Sequence, residues 1–198
     1  MKVLVIYAHP WEGSFNHAVL ETVISGLKSG KNEVDVLDLN KESFNPVLTK
    51  EELALYRKGE FLDPKVGEYQ ARITASDYLF FIFPIWWGGM PAILKGFIDK
   101  VFLNDWAYGQ IGFIPKGMLT HIKGATVVAT MGAPKFFYGI ILRNAVELLF
   151  SKGILNFCGV KKVKGFALYD VENQTNEKRR KWLAEIKTYT TGLKYFFY

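Results

Sequence analysis

The hydrophobic pattern of the chain changes period abruptly between Tyr78 and Phe102. Residues 78–83 are continuously apolar and rich in aromatics, in a run too short for a typical buried helix, which predicts a strand covered on both faces. After Pro91, which suits a first helical turn, apolar residues recur at helical spacing, at positions Ile93, Leu94, Phe97, Ile98, Val101 and Phe102. The stretch therefore predicts a strand, a turn over residues 84–90, and a helix.

Strand and helix patterns alternate along the rest of the chain. Apolar runs predict strands at residues 3–7 and 125–130, and the more polar segment 160–169 predicts another. Residues 33–39 alternate between polar and apolar side chains, which predicts a half-covered strand at a sheet edge. Helical spacing predicts a helix capped by Asn16 and stopped by Gly30, helices at about 65–75 and 140–151, and a last helix capped by Asn176. Such alternation indicates one α/β domain over residues 1–198, with a parallel sheet and helices on both faces.

Two stretches lack this regularity. Residues 40–64 are long and polar, which predicts a surface loop that contains a short helix. Residues 103–123 show no clear period but carry Trp106, Tyr108 and Phe113 among glycines. An aromatic loop of this kind is expected to cover a pocket or to contact a partner subunit.

Composition and charge narrow the classes of function. Hydrophobic residues are 49% of the 198, charged residues 22% and aromatic residues 16%, which is an ordinary globular composition with an aromatic excess. The formal charge of +6 is scattered, and the one dense group, residues 178–181, is interpreted as a solvated helical face in preference to a nucleic-acid patch. The chain has no G-x-G-x-x-G and no Walker loop, which disfavours a classical nicotinamide-binding half and a P-loop NTPase.

Cysteine and histidine usage points to a reducing compartment and no metal. The single cysteine, Cys158, excludes an internal disulfide and is expected to be a small buried residue. The three histidines, His9, His17 and His121, have no partners at metal-ligand spacing. Because strand-like sequence starts at Lys2, we expect no signal peptide and a cytoplasmic protein, and the apolar run near Trp86 is interrupted before it could span a membrane.

Three turns, residues 8–15, 84–90 and 131–134, follow predicted strands at their carboxyl ends, where ligands bind in open α/β sheets. The first, residues 8–15, leads into a helix N-terminus, whose N–H groups and dipole favour an anion, with Ser14 and Asn16 as additional donors. A phosphate site is one interpretation, and simple helix capping is the other. The turn with Trp86 and Trp87 is similarly open to two interpretations, ligand contact or core packing.

Four segments together resemble the flavodoxin-like NAD(P)H:quinone oxidoreductases and their bacterial relatives of the modulator of drug activity B type. The segments are His9–Ala18 (HPWEGSFNHA), Phe83–Phe102 with its FP-x-x-W and PAILKGF elements, Thr130–Tyr138 (TMGAPKFFY) and Gly153–Gly159 (GILNFCG). The resemblance implies a flavodoxin-like three-layer sandwich with a five-stranded parallel sheet in the order 2-1-3-4-5.

The resemblance also implies roles for individual residues. The flavin is expected to contact His9, Ser14, Phe15, Asn16, Ala18, Pro84, Ile85, Trp86, Trp87, Gly88, Thr130, Gly132, Ala133 and Tyr138. The catalytic candidates are Tyr138, expected to hydrogen-bond the reduced flavin, and Asn144. Asn144 stands where the mammalian enzymes have a histidine, so no imidazolium is available there to balance the charge of the reduced flavin. Arg179 matches a basic residue at the adenosine end of FAD, which favours FAD over FMN. Trp106 and Tyr108 are expected to roof the flavin of the partner in a homodimer.

The implied activity is a ping-pong transfer of hydride from NAD(P)H through flavin N5 to a quinone or similar flat acceptor. Two alternatives remain. A flavodoxin-type electron carrier shares the fold, but its surface is typically acidic, against the +6 charge of this chain. A flavin-binding regulatory subunit of a membrane transport system is also compatible with the basic surface and the aromatic loop.

Overall fold

The computed structural model describes residues 1–193, and in this part of the chain seven strands form two sheets. The strands are β1 (Lys2–Tyr7), β2 (Glu33–Asp38), β3 (Tyr78–Pro84), β4 (Tyr108–Ile111), β5 (Ile114–Gly117), β6 (Gly124–Thr130) and β7 (Val163–Leu168). Five of them form one parallel sheet in the order β2-β1-β3-β6-β7, and β4 pairs with β5. Without the β4–β5 pair, this order is the predicted 2-1-3-4-5, so the flavodoxin-like fold class is confirmed.

Helices cover both faces of the parallel sheet. They are α1 (Phe15–Ser29), α2 (Lys50–Leu55), α3 (Pro64–Thr74), α4 (Ala92–Val101), α5 (Ala145–Leu148) and α6 (Asn176–Thr191). Val5 in β1 contributes to a core with α1 and α6, whereas its neighbour Ile6 contributes to the core with α3 and α4. Strands buried on both faces in this way have continuous apolar sequences, as β3 does. None of the helices within residues 1–193 is long and apolar enough to cross a membrane.

Two predicted helix caps are wrong by one or two residues. Ser14 caps α1 through its hydroxyl, which accepts a hydrogen bond from the N–H of His17, and Asn16 lies inside the first turn. Thr175 caps α6 in the same way, and Asn176 is the first helical residue. In each case the hydroxyl-bearing residue has the extended backbone that a cap requires, which sequence spacing alone did not separate from the nearby asparagine. Gly30 ends α1 as predicted.

The stretch 103–123 contains a β-hairpin that its sequence pattern did not reveal. Strands β4 and β5 pair with each other around Gly112, at φ 60°, and Phe113 at the tip is fully exposed. The strands are only four residues each and lack an alternating pattern. The expected structureless loop is therefore corrected to a hairpin with an apolar tip.

The helix predicted at 140–151 is interrupted. A π-helical turn at Phe137–Ile141 is followed by Arg143 and Asn144 in the left-handed conformation, at φ 49° and 52°. Helix α5 then continues into a second π-helical turn, Leu149–Asn156. Two consecutive left-handed residues cannot continue a right-handed helix, so this part of the chain changes direction at Arg143.

The polar stretch 40–64 contains the expected short helix, α2, whose N-terminus has a complete capping box between Thr49 and Glu52. The stretch packs against α4 at two positions. Pro46 lies so close to Gly96 that any side chain at position 96 would overlap it. Near the end of α4, the buried Lys100 forms ion pairs with Glu52 at 2.9 Å and with Asp63 at 3.5 Å.

Candidate functional site

A cavity of about 440 Å³ opens at the carboxyl ends of β1, β3 and β6. Its walls come from the three turns that the sequence singled out and from the segment between β7 and α6. The lining residues are His9, Trp11, Gly13, Ser14, Phe15, Asn16, Pro84, Ile85, Trp86, Thr130, Met131, Gly132, Val171, Glu172 and Arg179. The fold thus assembles residues more than 160 positions apart into one concave site, at the sheet edge where open α/β folds bind ligands.

The N-terminus of α1 forms one wall of the cavity. Phe15 and Asn16 occupy its first two positions, where no preceding carbonyl of the helix is available to their N–H groups. No acidic residue stands in this first turn, so the positive end of the helix dipole is not neutralised there. This wall has the donor chemistry of an anion site.

The imidazole of His9 organises the loop that leads into α1. Its Nδ1 lies 3.1 Å from the N–H of Trp11, which donates to it. Burial lowers the pKa of His9, although a backbone contact with Trp11 acts in the opposite direction. A neutral ring is therefore favoured at neutral pH.

The first and third turns are joined across the cavity by Asn16 and Thr130. Asn16 is 4% exposed, and its Nδ2 donates to Thr130 Oγ1 at 2.6 Å. Its Oδ1 is buried and has no hydrogen-bond partner within residues 1–193. A buried acceptor without a donor is costly, so this atom fits a ligand that brings a donor into the cavity.

The turn after β3 is a tight two-residue hairpin. Trp86 and Gly89 exchange two backbone hydrogen bonds of 3.0 Å, and the central residues Trp87 and Gly88 both have positive φ, 51° and 71°. These values are those of a type I′ turn, in which a tryptophan at the first central position is unusual. The turn holds Trp86 against the His9 ring, 5.8 Å between centroids, and leaves Trp87 fully exposed.

Arg179 brings a positive charge from α6 to the cavity. One terminal nitrogen of its guanidinium donates to the carbonyl of Gln174, and the buried Nε has no partner among the described residues. The segment before α6 is held against the third turn, because Val171 N–H donates to the carbonyl of Met131 at 3.0 Å. The guanidinium therefore retains donor capacity at the cavity wall.

Several residues expected at the site lie outside the cavity lining. Ala18 is half-buried within α1, Trp87 and Gly88 form the outer part of their turn, and the carbonyl of Ala133 accepts a hydrogen bond from Asp170 N–H at 3.1 Å. Asn144 is exposed and borders a different surface cavity with Arg143 and Lys152.

Tyr138 is buried beneath the third turn, away from the cavity lining. Its hydroxyl accepts hydrogen bonds from the N–H groups of Val146, at 3.1 Å, and Glu147, at 3.4 Å. Burial raises the pKa of Tyr138, and these two hydrogen bonds lower it by less. In this conformation the tyrosine stabilises the start of α5.

Trp106 and Tyr108 also lie away from the cavity of their own subunit. Trp106 packs edge-on against Phe102, with 6.0 Å between ring centroids, and its Nε1 donates to Thr74 Oγ1 at 3.4 Å. Thr74 ends α3 shortly before β3 begins, so Trp106 is near the amino edge of the sheet. Tyr108 packs against Phe157 at 5.3 Å.

Five cavity residues were missed from the sequence: Trp11, Gly13, Met131, Val171 and Glu172. Trp11 carried a usable signal, because a tryptophan in a short loop that also holds Pro10, Glu12 and Gly13 has little core to enter. Val171 and Glu172 had none, since only the pairing of β6 with β7 brings them to the site. Within residues 1–193, no group of three or more His, Cys, Asp and Glu side chains is placed to hold a metal ion.

The fold and the cavity at its sheet edge define a protein of the flavodoxin-like class. The chain belongs to the family with a flavodoxin-like fold, which matches residues 1–190. This match, together with the relatives described next, confirms the sequence resemblance to the flavodoxin-like quinone reductases.

Three similar proteins match nearly the whole chain, and the first two are named for quinone reduction. NAD(P)H dehydrogenase [quinone] 1 of Cavia porcellus is 27% identical, over 92% of this chain and 74% of its own length. The solved NAD(P)H:quinone oxidoreductase of Methanothermobacter marburgensis is 28% identical with a TM-score of 0.88, covering 98% of this chain and 97% of its own. The solved Smu.1420 of Streptococcus mutans UA159 is 36% identical with a TM-score of 0.85, covering 97% of this chain and 100% of its own.

Proposed function

We propose that the protein is a flavin-dependent NAD(P)H:quinone oxidoreductase that binds FAD, with FMN as the alternative cofactor. The observation that carries the proposal is the cavity at the carboxyl edge, where three features meet: a helix N-terminus suited to anions, an aromatic turn, and the Arg179 guanidinium, whose Nε has no partner in the described residues. Phosphate, a flat ring and a further anionic group are the parts of a flavin nucleotide that such walls suit. The names of the relatives support the same activity.

The residues present fit a flavin nucleotide. Phe15 and Asn16 would hold a phosphate through their N–H groups, and Asn16 Oδ1 would accept from a hydroxyl or ring N–H of the ligand. Ile85, Trp86 and Gly132 would lie along the ring system. When bound, the flavin supplies the hydride chemistry between NAD(P)H and a quinone.

The chain's own contribution is binding, orientation and exclusion of water. The Trp86 turn is locked by its two backbone hydrogen bonds, and Ile85 N–H is fixed on the carbonyl of Thr130 at 2.7 Å. A preorganised turn of this kind positions a flat ring without rearrangement on binding. The neutral imidazole of His9, packed on Trp86, adds a hydrogen-bonding group that carries no charge near neutral pH. The roles of Tyr138 and Asn144 require their segment to move toward the cavity, since neither borders it.

We propose that the active form is a homodimer in which aromatic residues of one subunit cover the cavity of the other. Large apolar side chains are exposed in the turn after β3 and in the segment between β6 and α5, among them Trp87, Phe136 and Ile140. Exposed apolar surface of this extent is typical of an interface. The hairpin that follows Trp106 carries Tyr108 at its base and the exposed Phe113 at its tip, which makes it the element best suited to reach a partner.

Anaerobic half-reactions test the proposed activity directly. The flavin-loaded protein is mixed with NADH or NADPH and then with menadione, while visible absorbance is followed. We expect bleaching by the pyridine nucleotide and recovery on addition of the quinone within catalytic times. Flavin that binds but is not bleached would favour a regulatory role, and a chain that retains no flavin would refute the proposal. Chromatography of acid-released flavin distinguishes FAD from FMN, and gel filtration over a range of concentrations tests the dimer.

A further inference from the structure

Trp11 presents an exposed indole in the wall of the cavity. The proposed contacts with the flavin ring and its phosphate give this side chain no role. It is 66% exposed, although it lies among residues that converge on a site. Its backbone is fixed, because its N–H donates to His9 Nδ1. A large aromatic surface held at a cavity wall and left open to solvent is suited to stacking with a flat partner.

Gly13 provides the support for this indole. A side chain at position 13 would overlap the Nε1–Cε2–Cζ2 edge of Trp11, so the ring rests directly against the glycine backbone. The next residue, Ser14, is the cap of α1. The indole is therefore held beside the helix N-terminus that is proposed to bind the flavin phosphate.

The same cavity contains two further side chains that suit the second half of a dinucleotide. Arg179 has an unpartnered buried Nε, which fits a pyrophosphate oxygen, and Glu172 offers a carboxylate that can accept from ribose hydroxyls or an adenine amino group. FMN has only one phosphate and no second base, so it would leave all three residues unused.

We propose, on the basis of the proposed flavin cofactor, that Trp11 stacks on the adenine of FAD and makes the chain prefer FAD over FMN. Purine rings stack on tryptophan with an affinity that is large enough to decide between two otherwise similar ligands. The ligand chemistry is an adenosine diphosphate group. We assign the adenosine diphosphate group to FAD. NAD(P)H carries the same group, and the experiments below distinguish the two molecules.

The test measures dissociation constants of FAD and FMN for the 198-residue chain, freed of flavin, by flavin fluorescence. Trp11→Ala is expected to weaken FAD by about tenfold or more while FMN changes less than about twofold. Trp11→Phe should fall between the wild type and Trp11→Ala, since it keeps a ring. Gly13→Ala should also weaken FAD selectively, because it displaces the indole without removing it. Circular dichroism and thermal unfolding establish that the variants are folded.

Equal weakening of FAD and FMN in Trp11→Ala would overturn the proposal, since it would place the effect on the phosphate loop. Unchanged FAD affinity would overturn it as well. If FAD affinity is unchanged but the KM for NADH rises, the adenine belongs to the pyridine nucleotide and the assignment to FAD is wrong.

ADP separates this inference from the proposed function. ADP is expected to quench tryptophan fluorescence in the wild type and to have little effect in Trp11→Phe. Quenching by ADP in a chain that binds neither flavin would refute the flavoenzyme proposal and the assignment to FAD, while retaining a nucleotide-stacking role for Trp11. Tight flavin binding with equal FAD and FMN losses in Trp11→Ala would refute the stacking and leave the flavoenzyme proposal intact.

Discussion

Asn16 and Thr130, 114 residues apart, are joined by a buried hydrogen bond of 2.6 Å between Nδ2 and Oγ1. The bond connects the first turn of α1 to the end of β6, and so fixes two walls of the cavity relative to each other. Because Asn16 Oδ1 remains without a partner in the described residues, the same side chain both supports the site and offers it an acceptor.

Thr130→Val removes this hydrogen bond and keeps the shape of the side chain. We expect a loss of about 1–3 kcal/mol in the free energy of unfolding, because the buried Asn16 amide is left without its acceptor. Flavin affinity should fall as well, since Asn16 is no longer held in place. Urea unfolding with and without flavin measures both effects. Thr130→Ser restores the hydroxyl and should recover most of the loss, and a valine variant as stable as the wild type would contradict the role of the bond.

The strands of the parallel sheet could be predicted from the sequence, because a strand is indicated by the pattern of a few consecutive residues. Residues 78–83 are buried on both faces in a central parallel strand, and such strands must be continuously apolar. The position of the cavity could also be predicted, because parallel strands end at one edge of the sheet and the turns that follow them meet there. Phe15, Ile85 and Gly132 could therefore be expected together, and the cavity does bring them together.

What could not be predicted depends on local backbone angles and side-chain directions that the pattern of apolar and polar residues does not encode. The hairpin of β4 and β5 is specified by pairing within short, poorly patterned strands. The break at Arg143 and Asn144 depends on left-handed backbone angles that neither residue type demands. Tyr138 lies in a motif of the family, but its hydroxyl is directed to the N–H groups of Val146 and Glu147, a contact that sequence spacing does not indicate.

Arg179→Gln should weaken FAD more than FMN. A hydrogen bond to a charged group contributes about 1.5–3 kcal/mol, so we expect a loss of roughly tenfold or more in FAD affinity if the guanidinium contacts the pyrophosphate. Fluorescence titration measures both flavins at two salt concentrations. Arg180→Gln is the matched control, because Arg180 is the exposed neighbour on the same helix and does not line the cavity. Equal effects of the two substitutions would assign the loss to net charge alone.

Trp87→Asn should separate the turn from its aromatic side chain. Asparagine followed by glycine is favoured in a type I′ turn, so the backbone at Trp87 and Gly88 should be retained and thermal stability should not fall. Loss of the exposed indole should reduce kcat/KM for menadione by roughly fivefold, as estimated for one aromatic contact of about 1 kcal/mol. Trp87→Phe should keep most of the activity. An asparagine variant with unchanged kinetics and unchanged dimerisation would show that the Trp87 side chain contributes neither to the reaction nor to the dimer interface.

Cys158 should be unreactive in the folded protein. Burial raises the pKa of its thiol to about 12, so almost no thiolate is present at neutral pH. We expect no measurable reaction with iodoacetamide at pH 7.5 over hours, and stoichiometric reaction once urea unfolds the chain. Mass spectrometry measures the extent of modification. Rapid modification under native conditions would show that the segment around Cys158 opens.

Lys100 should be a large contributor to stability, in contrast to Lys95 on the same helix. Lys100 is 4% exposed and pairs with Glu52, whereas the ion pair of Lys95 with Asp99 is exposed to solvent. Removing one partner of a buried pair leaves an uncompensated charge, so Lys100→Met should cost about 3–5 kcal/mol. Lys95→Met should cost about 0.5 kcal/mol or less. Similar losses in the two variants would show that the buried pair has no special energetic role.

The pH dependence of Lys100→Met provides an independent test of this pair. Burial raises the pKa of Glu52. Hydrogen bonds from Thr49 N–H and from Lys100, together with the charge of Lys100, lower it by more, so the pKa of Glu52 lies below its ordinary value. A carboxyl with a depressed folded-state pKa stabilises the fold above its unfolded pKa and loses that contribution as pH falls through the folded value. The stability difference between wild type and Lys100→Met should therefore be full at pH 7 and shrink below the ordinary glutamate pKa. Urea unfolding at several pH values from 7 down to about 3 measures it, and a difference independent of pH would mean that the loss comes from packing instead of charge.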